Sequence, residues 1–262
     1  MRKATAAKRM VCAMVCVLGW TAIAADEPSL STSVSTSFMS KYIWRGQLLN
    51  DDYVIQPSVG LGYGGLSASL WGNADMTDYH DTDWEFTEYD WTVGYADKVP
   101  GLDFLKYSVG MIYYHFPSTT ISTTEVYAGL GLDMPLSPTV TVYRDIDEAD
   151  STYVSLSISH SVEKIFELSP EMPVGMTASA SIGWGNKAYN DFYWGGLEEN
   201  ALNDLTMSVG FPVVVRGWTV TPSISYVTLL DSDVRAADTY ATYSGNNGSD
   251  YLFTGITLSR SF

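Results

Sequence analysis

Hydrophobic and polar positions alternate along most of this chain. In STYVSLSISHSV (151–162) one face carries Val154, Leu156, Ile158 and Val162, and the other Ser151, Tyr153, Ser155, Ser157 and Ser159. VGMTASASIGW (174–184) sets Val174, Met176, Ala178, Ala180, Ile182 and Trp184 against glycine, threonine and serine. WTVTPSISY (218–226) repeats the plan, and YLFTGITLSRSF carries it to the last residue, Phe262. A period of two belongs to a strand with unlike environments on its faces. Ten or so alternating residues followed by a turn recur, predicting twelve strands. They fall at 33–46, 53–63, 66–75, 84–96, 104–115, 123–132, 138–145, 151–162, 174–184, 202–211, 217–228 and 251–262. The nearest approach to a helix, HSVEKIFELSPEMP, is ended by Pro170 and Pro173.

The connections alternate in kind. GYGG (62–65), DKVPGL (97–102), DMPLSP (133–138) and PVVVRG (212–217) are compact, and 162–173 is a longer member of that set. The stretches 73–83, 144–150, 185–203 and 230–250 are mostly longer, and acidic or amide-rich. Aromatics sort to the ends of the apolar faces. Tyr42, Trp44, Tyr53, Tyr113, Trp184 and Tyr226 fall beside the long loops. Tyr63, Tyr95, Tyr107, Phe211, Trp218 and Phe262 fall beside the short turns. At about 3.3 Å per residue and a tilt near 40°, Tyr53 and Tyr63 lie roughly 25 Å apart along a membrane normal, the height of an apolar band between two girdles. The expected fold is therefore all-β. It is a closed antiparallel up-and-down transmembrane barrel of about twelve strands, with short periplasmic turns and longer extracellular loops. Pairing of the last strand with the first would leave no open edge in lipid.

The amino terminus fits export. A basic start, the apolar run MVCAMVCVLGWTAIA and small residues after it read as a signal peptide cleaved after Ala24, leaving 25–262 as a single barrel domain. Both cysteines, Cys12 and Cys16, lie in that leader, so no disulfide or thiol site is expected in the remainder. Removing Arg2, Lys3, Lys8 and Arg9 turns 14 bases against 30 acids into 10 against 30, and a net −16 into −20. Such a charge excludes nucleic acid as a partner.

The segment TSFMSKYIWRGQ (36–47), with Tyr42, Arg45 and Gly46, resembles the first strand of the TorF-type porins of Gram-negative bacteria. YSVGMIYYHFPS (107–118) and TEVYAGLGL (124–132) extend the resemblance. It implies an outer-membrane barrel acting as a porin, and brings no catalytic residue and no substrate. The terminal Phe262 likewise resembles the sorting signal read by the barrel-assembly machinery. Arg260 departs from that signal, at a height where a guanidinium reaches interfacial phosphates.

Parity assigns faces. With Val34, Phe38, Tyr42 and Trp44 outward, Lys41 and Arg45 point inward; Glu88, Asp90, Glu125 and Tyr127 do so on later strands, and Lys106 near the periplasmic mouth. A lipid-facing Lys or Arg at mid-membrane costs about 2–4 kcal/mol, which favours inward placement. Opposed bases and acids across a lumen make either a transverse field that selects small polar solutes, or a bonded plug that fills the barrel. Both remain open at this level.

No catalytic residue, cofactor or metal is expected. The three histidines, His80, His115 and His160, have no triad partners in pattern. The expected function is passive, weakly cation-favouring diffusion of small hydrophilic solutes across a bacterial outer membrane, the alternative a non-conducting scaffold, receptor or docking barrel. Expected partners are outer-membrane lipid and lipopolysaccharide, the assembly machinery and the solute. The oligomeric state has no marker.

Overall fold

The computed structural model describes residues 29–79, 84–119, 121–237 and 248–262. The leader at 1–24, His80 and parts of the loops at 73–83 and 230–250 lie outside the described residues.

The chain forms β1 (Ser31–Met39), then a small hairpin of β2 (Tyr42–Trp44) and β3 (Gln47–Asn50), then β4 (Val54–Tyr63), β5 (Leu66–Asp75) and β6 (Phe86–Val99). There follow β7 (Leu102–Phe116), β8 (Ile121–Leu132), β9 (Thr139–Asp145), β10 (Thr152–Ser169) and β11 (Met172–Gly185). A short helix α1 (Lys187–Tyr193) precedes β12 (Ala201–Gly210), β13 (Val213–Val215) and β14 (Trp218–Leu229). A single-turn α2 (Ser232–Ala236) and β15 (Asp250–Ser261) complete it.

Each wall strand pairs antiparallel with its neighbours, and β15 pairs with β1 from Ser33↔Ser261 to Met39↔Gly255, closing the sheet. Strands β12 and β13 occupy one place in the wall, both between β11 and β14. They are separated at Phe211–Pro212, because Pro212 has no N–H to continue the ladder. The wall is thus a closed barrel of twelve strands.

The outer face is apolar. Leu61, Leu156, Leu252 and Ile256 are exposed on it, while the opposite parity carries hydroxyls and glycines. An apolar surface of this extent is covered in lipid, not in water. Tyr53, directly before β4, and Tyr63, at its far end, are 60% and 53% exposed. Tyr95, Tyr107, Tyr113, Trp184, Phe211, Trp218 and Tyr226 share the outward parity of their strands.

Three expectations are corrected. The first wall strand ends at Met39, not at residue 46. Beyond Ser40 the chain turns into the barrel, so Tyr42 and Trp44 are not girdle residues; each is 1% exposed inside. Their large rings have no lipid to face, because the β2–β3 hairpin pairs with itself and not with the wall. Finally, 162–173, expected as the longest of the compact connections, is mostly strand. β10 and β11 continue as one hairpin through Phe166↔Val174 to Ser169↔Met172, with register shifts after Val162 and Glu167.

A candidate pore closed by an inner hairpin

Met39 of β1 and Val54 of β4 are register partners, so the fourteen residues between them are an insertion in the wall. The insertion folds into the lumen at the long-loop end. Its continuous apolar runs, Tyr42–Ile43–Trp44 and Leu48–Leu49, are buried on both faces, as unalternating runs are. Arg45 and Gly46 form its two-residue turn, with φ of +45° and +85°. Two positive φ values make the hairpin turn whose twist matches its strands. Gly46 has a second reason to be glycine: a Cβ there would come within 2.6 Å of Leu229 Cδ2 and 2.9 Å of Asp204 Cβ.

The turn delivers Arg45 to the centre of the lumen. Its Nη1 and Nη2 donate to Glu125 Oε1 and Oε2 of β8, each at 2.8 Å. Tyr114 Oη of β7 donates to the same carboxylate at 2.8 Å. The guanidinium carbon lies 4.4 Å from the Trp44 ring centroid, 4.6 Å from Tyr143 and 4.3 Å from Tyr153. A desolvated charge needs such compensation: the forked pair satisfies its edges and the ring quadrupoles its faces.

Other contacts anchor the insertion. Tyr42 Oη donates to Glu88 Oε2 of β6 at 2.8 Å, and its ring lies 5.9 Å from that of Trp71. Asp90 is buried on the same strand. Lys41 pairs with Asp51, across the base of the insertion. Trp44 meets Tyr193 of α1 at 5.3 Å.

Helix α1 is the second inward element. Asn186 caps it by accepting from Tyr189 N at 2.9 Å. Asn190 Nδ2 donates to the carbonyls of Gly185 and Glu199, and its Oδ1 accepts from Asn203 Nδ2 at 2.9 Å. These bonds hold Tyr189, Tyr193 and Trp194 against the hairpin. α2 adds Val234, fully buried.

Tyr153 Oη donates to Asp204 Oδ1 at 2.9 Å beside this cluster. A Cβ on Gly183 would overlap both Tyr153 Oη and Asp204 Oδ1. Gly183→Ala is therefore expected to destabilise the barrel by about 1–3 kcal/mol, the cost of overpacking a filled site. Urea unfolding followed by tryptophan fluorescence measures it, and an unchanged midpoint would contradict this packing.

The two halves of the lumen differ. At the long-loop end Asn73, Asp75, Glu88, Asp90, Glu125, Asp145, Asn203 and Asp204 point inward and are buried. Toward the short-turn end the inward residues are Ser33, Ser35, Ser58, Ser69, Ser108, Ser155 and Ser157, all partly exposed, with Ser67 more open still. That half is a hydroxyl-lined well, with Tyr127 half-buried between the two regions. Lys106 lies toward its mouth, 3.2 Å from Asp133.

The structure thus brings two inward-assigned residues together, Arg45 and Glu125, and joins Glu88 to Tyr42, which parity assigns outward, but leaves Lys41 and Lys106 in separate pairs. The sequence reading missed Tyr114, Tyr143, Tyr153, Tyr189, Trp194 and Asp204. Tyrosines on the hydroxyl-bearing parity of β9 and β10 were the available signal. His160 is exposed on the outward parity of β10, and His115 lies against Trp91 at 6.4 Å. On the loops, Glu199, Asp231 and Asp233 have carboxylate oxygens within 4.8 Å of one another. Hydrogen bonding to Asp233 raises the Glu199 carboxyl above its ordinary value.

No protein-family model matches this sequence, and no curated protein matches it either. Among solved structures it is similar to the NanC porin, with 13% identity and a TM-score of 0.50 over 87% of this chain and 98% of that one. LpxR from Salmonella typhimurium follows at 8% identity and 0.46, covering 88% and 99%. OprB from Pseudomonas putida gives 8% and 0.42, covering 90% and 94%. The fold is that of the outer-membrane barrels.

Proposed function

We propose that this chain is a bacterial outer-membrane channel for small hydrophilic solutes, and that the inner hairpin holds its path shut. The observation that carries this reading is the contrast within one lumen: a hydroxyl-lined well at one end and, at the other, a closure supplied by an insertion tied to the wall through ionic and tyrosine contacts. A barrel that serves only as a scaffold needs no such well. The short-turn end, which holds both β1 and β15 termini, is assigned to the periplasm, and the loops to the exterior. Export through the leader, insertion by the barrel-assembly machinery and membership of the TorF-type porins belong to the same proposal.

Weak cation preference follows from charge. Glu88, Asp90, Glu125, Asp145 and Asp204 are buried with one buried arginine, and the loop acids Glu199, Asp231 and Asp233 cluster at the long-loop end. An excess of one sign in a low-dielectric passage concentrates the opposite ion.

Planar-bilayer recording of refolded protein is the test. Step-like conductance, brief or rare in the wild type, is expected, and steady silence in every variant would leave the non-conducting barrel. That second reading draws on the depth of burial across the outer half, where Tyr42, Trp44 and Trp194 are each 1% exposed. Selectivity has its own test. In a variant lacking the inner hairpin, Glu88→Gln with Asp90→Asn is expected to move the reversal potential under a salt gradient toward zero. An unmoved potential rejects the lumen acids as the selecting groups.

A further inference from the structure

Ten lysines and arginines follow residue 24, since four of the chain's 14 lie before it. Eight of them have a carboxylate partner within 3.9 Å. Among the described residues the two without one are Arg216 and Arg260, and the turn that carries Arg216 lies beside Arg260. Arg216 and Gly217 form the two-residue turn between β13 and β14, with φ of +52° and +81°. A Cβ on Gly217 would stand 3.6 Å from Arg260 Cζ, so the turn lies in van der Waals reach of the second guanidinium.

Both arginines sit at the short-turn rim. Arg260 has the outward parity of Ile256 and Leu258 and pairs across the seam with Val34. Its Cζ lies 4.8 Å from the Phe262 ring and 5.9 Å from the Trp218 ring. Two aromatic faces beside a guanidinium orient it and leave its N–H edges free. Below the rim, Val215 and Ile256 are exposed on the apolar belt. Adjacent cations repel unless an anion lies between them. In a chain with threefold more acids than bases after its leader, an unpaired basic pair at this height asks for a partner from the membrane.

We propose that Arg216 and Arg260 form a docking site for the phosphate of an anionic phospholipid in the periplasmic leaflet, with Trp218 and Phe262 flanking the headgroup and the acyl chains on the apolar belt. Arginine forks match phosphate oxygens in pairs. Among the described residues no carboxylate neutralises either arginine, so the site keeps a net positive charge, which favours a headgroup of net negative charge over a zwitterionic one. The site is independent of whether the lumen conducts.

The test uses full-length refolded protein in micelles containing equimolar phosphatidylglycerol and phosphatidylcholine, with bound lipid read by native mass spectrometry. Wild type is expected to retain phosphatidylglycerol in excess, with each arginine contributing about fivefold, and Arg216→Gln with Arg260→Gln to abolish the excess. Arg260→Lys keeps the charge but loses the fork, and should fall between the two. Unchanged heat-modifiable migration on a gel shows that a variant has folded. Should the double variant fail to insert, Arg216→Gln alone, in an exposed turn, carries the comparison and should lose about fivefold. Equal retention of the two lipids by wild type, or an excess that survives the double substitution, overturns the proposal. Displacement of the lipid by millimolar orthophosphate overturns it as well, since it would show a site for free phosphate.

Discussion

Replacing residues 40–53 by an Asn-Gly turn is expected to convert an intermittently conducting barrel into one with a steady, several-fold larger single-channel conductance. The substitution is geometrically conservative. Met39 and Val54 already face each other as register partners, and Asn-Gly is the preferred two-residue loop for joining such strands. What it removes is the lumen filling: Tyr42, Ile43, Trp44, Arg45, Leu48 and Leu49, all inside the barrel. A twelve-strand barrel is wider than the eight-strand barrels whose side chains suffice to fill them, so removal leaves space that water enters. The remaining wall presents Glu88, Asp90 and Glu125 to that space. Planar-bilayer recording with matched protein amounts measures the change. A conductance equal to that of wild type would mean that α1 alone closes the path, and the hairpin would lose its assigned role.

The second large effect concerns the Arg45–Glu125 pair. Arg45→Met is expected to destabilise the barrel by about 3–5 kcal/mol, because it strands the Glu125 carboxylate away from water with only Tyr114 to donate to it. Glu125→Leu alone should cost a similar amount, leaving the guanidinium with aromatic faces but no counter-charge. The two together should cost clearly less than the sum, since an apolar pair of similar volume replaces a buried ion pair at little loss. Urea unfolding of the four proteins in one detergent gives the coupling directly. Additive losses would show that the two residues do not act as a unit. The single variants should also open more often in the bilayer, which ties the energetic role of the pair to the channel reading.

Comparison of particular elements shows where the sequence was legible. The wall strands announce themselves because lipid on one side and a polar lumen on the other force alternation, as in Val154, Leu156 and Ile158 of β10 against Ser155, Ser157 and Ser159. Strand closure was foreseeable from the alternation that runs up to Phe262. The inner hairpin was misread because the outward parity of Val34 and Phe38 continues numerically into Tyr42 and Trp44. Alternation records that a face is apolar, and not whether lipid or protein covers it. The departure from alternation at Ile43–Trp44 and Leu48–Leu49, and the Arg-Gly turn between them, carried the missing information. Glu125, Glu88 and Arg45 were placed inward by parity, but their partners come from strands up to 80 residues away. Lys41 and Lys106 obey the same parity and join different pairs, which no local pattern distinguishes.

The sequence by itself determined a closed, lipid-facing barrel of twelve strands with acids and bases turned inward, because desolvation in a bilayer constrains every residue of a spanning strand in the same way. Only the tertiary structure decided that the outer half is filled, that Arg45 is enclosed by Glu125 and three aromatic rings, and that the Arg216–Gly217 turn lies beside Arg260. These are contacts between segments distant in the chain, set by shear and closure of the wall, and a period of two carries no record of them.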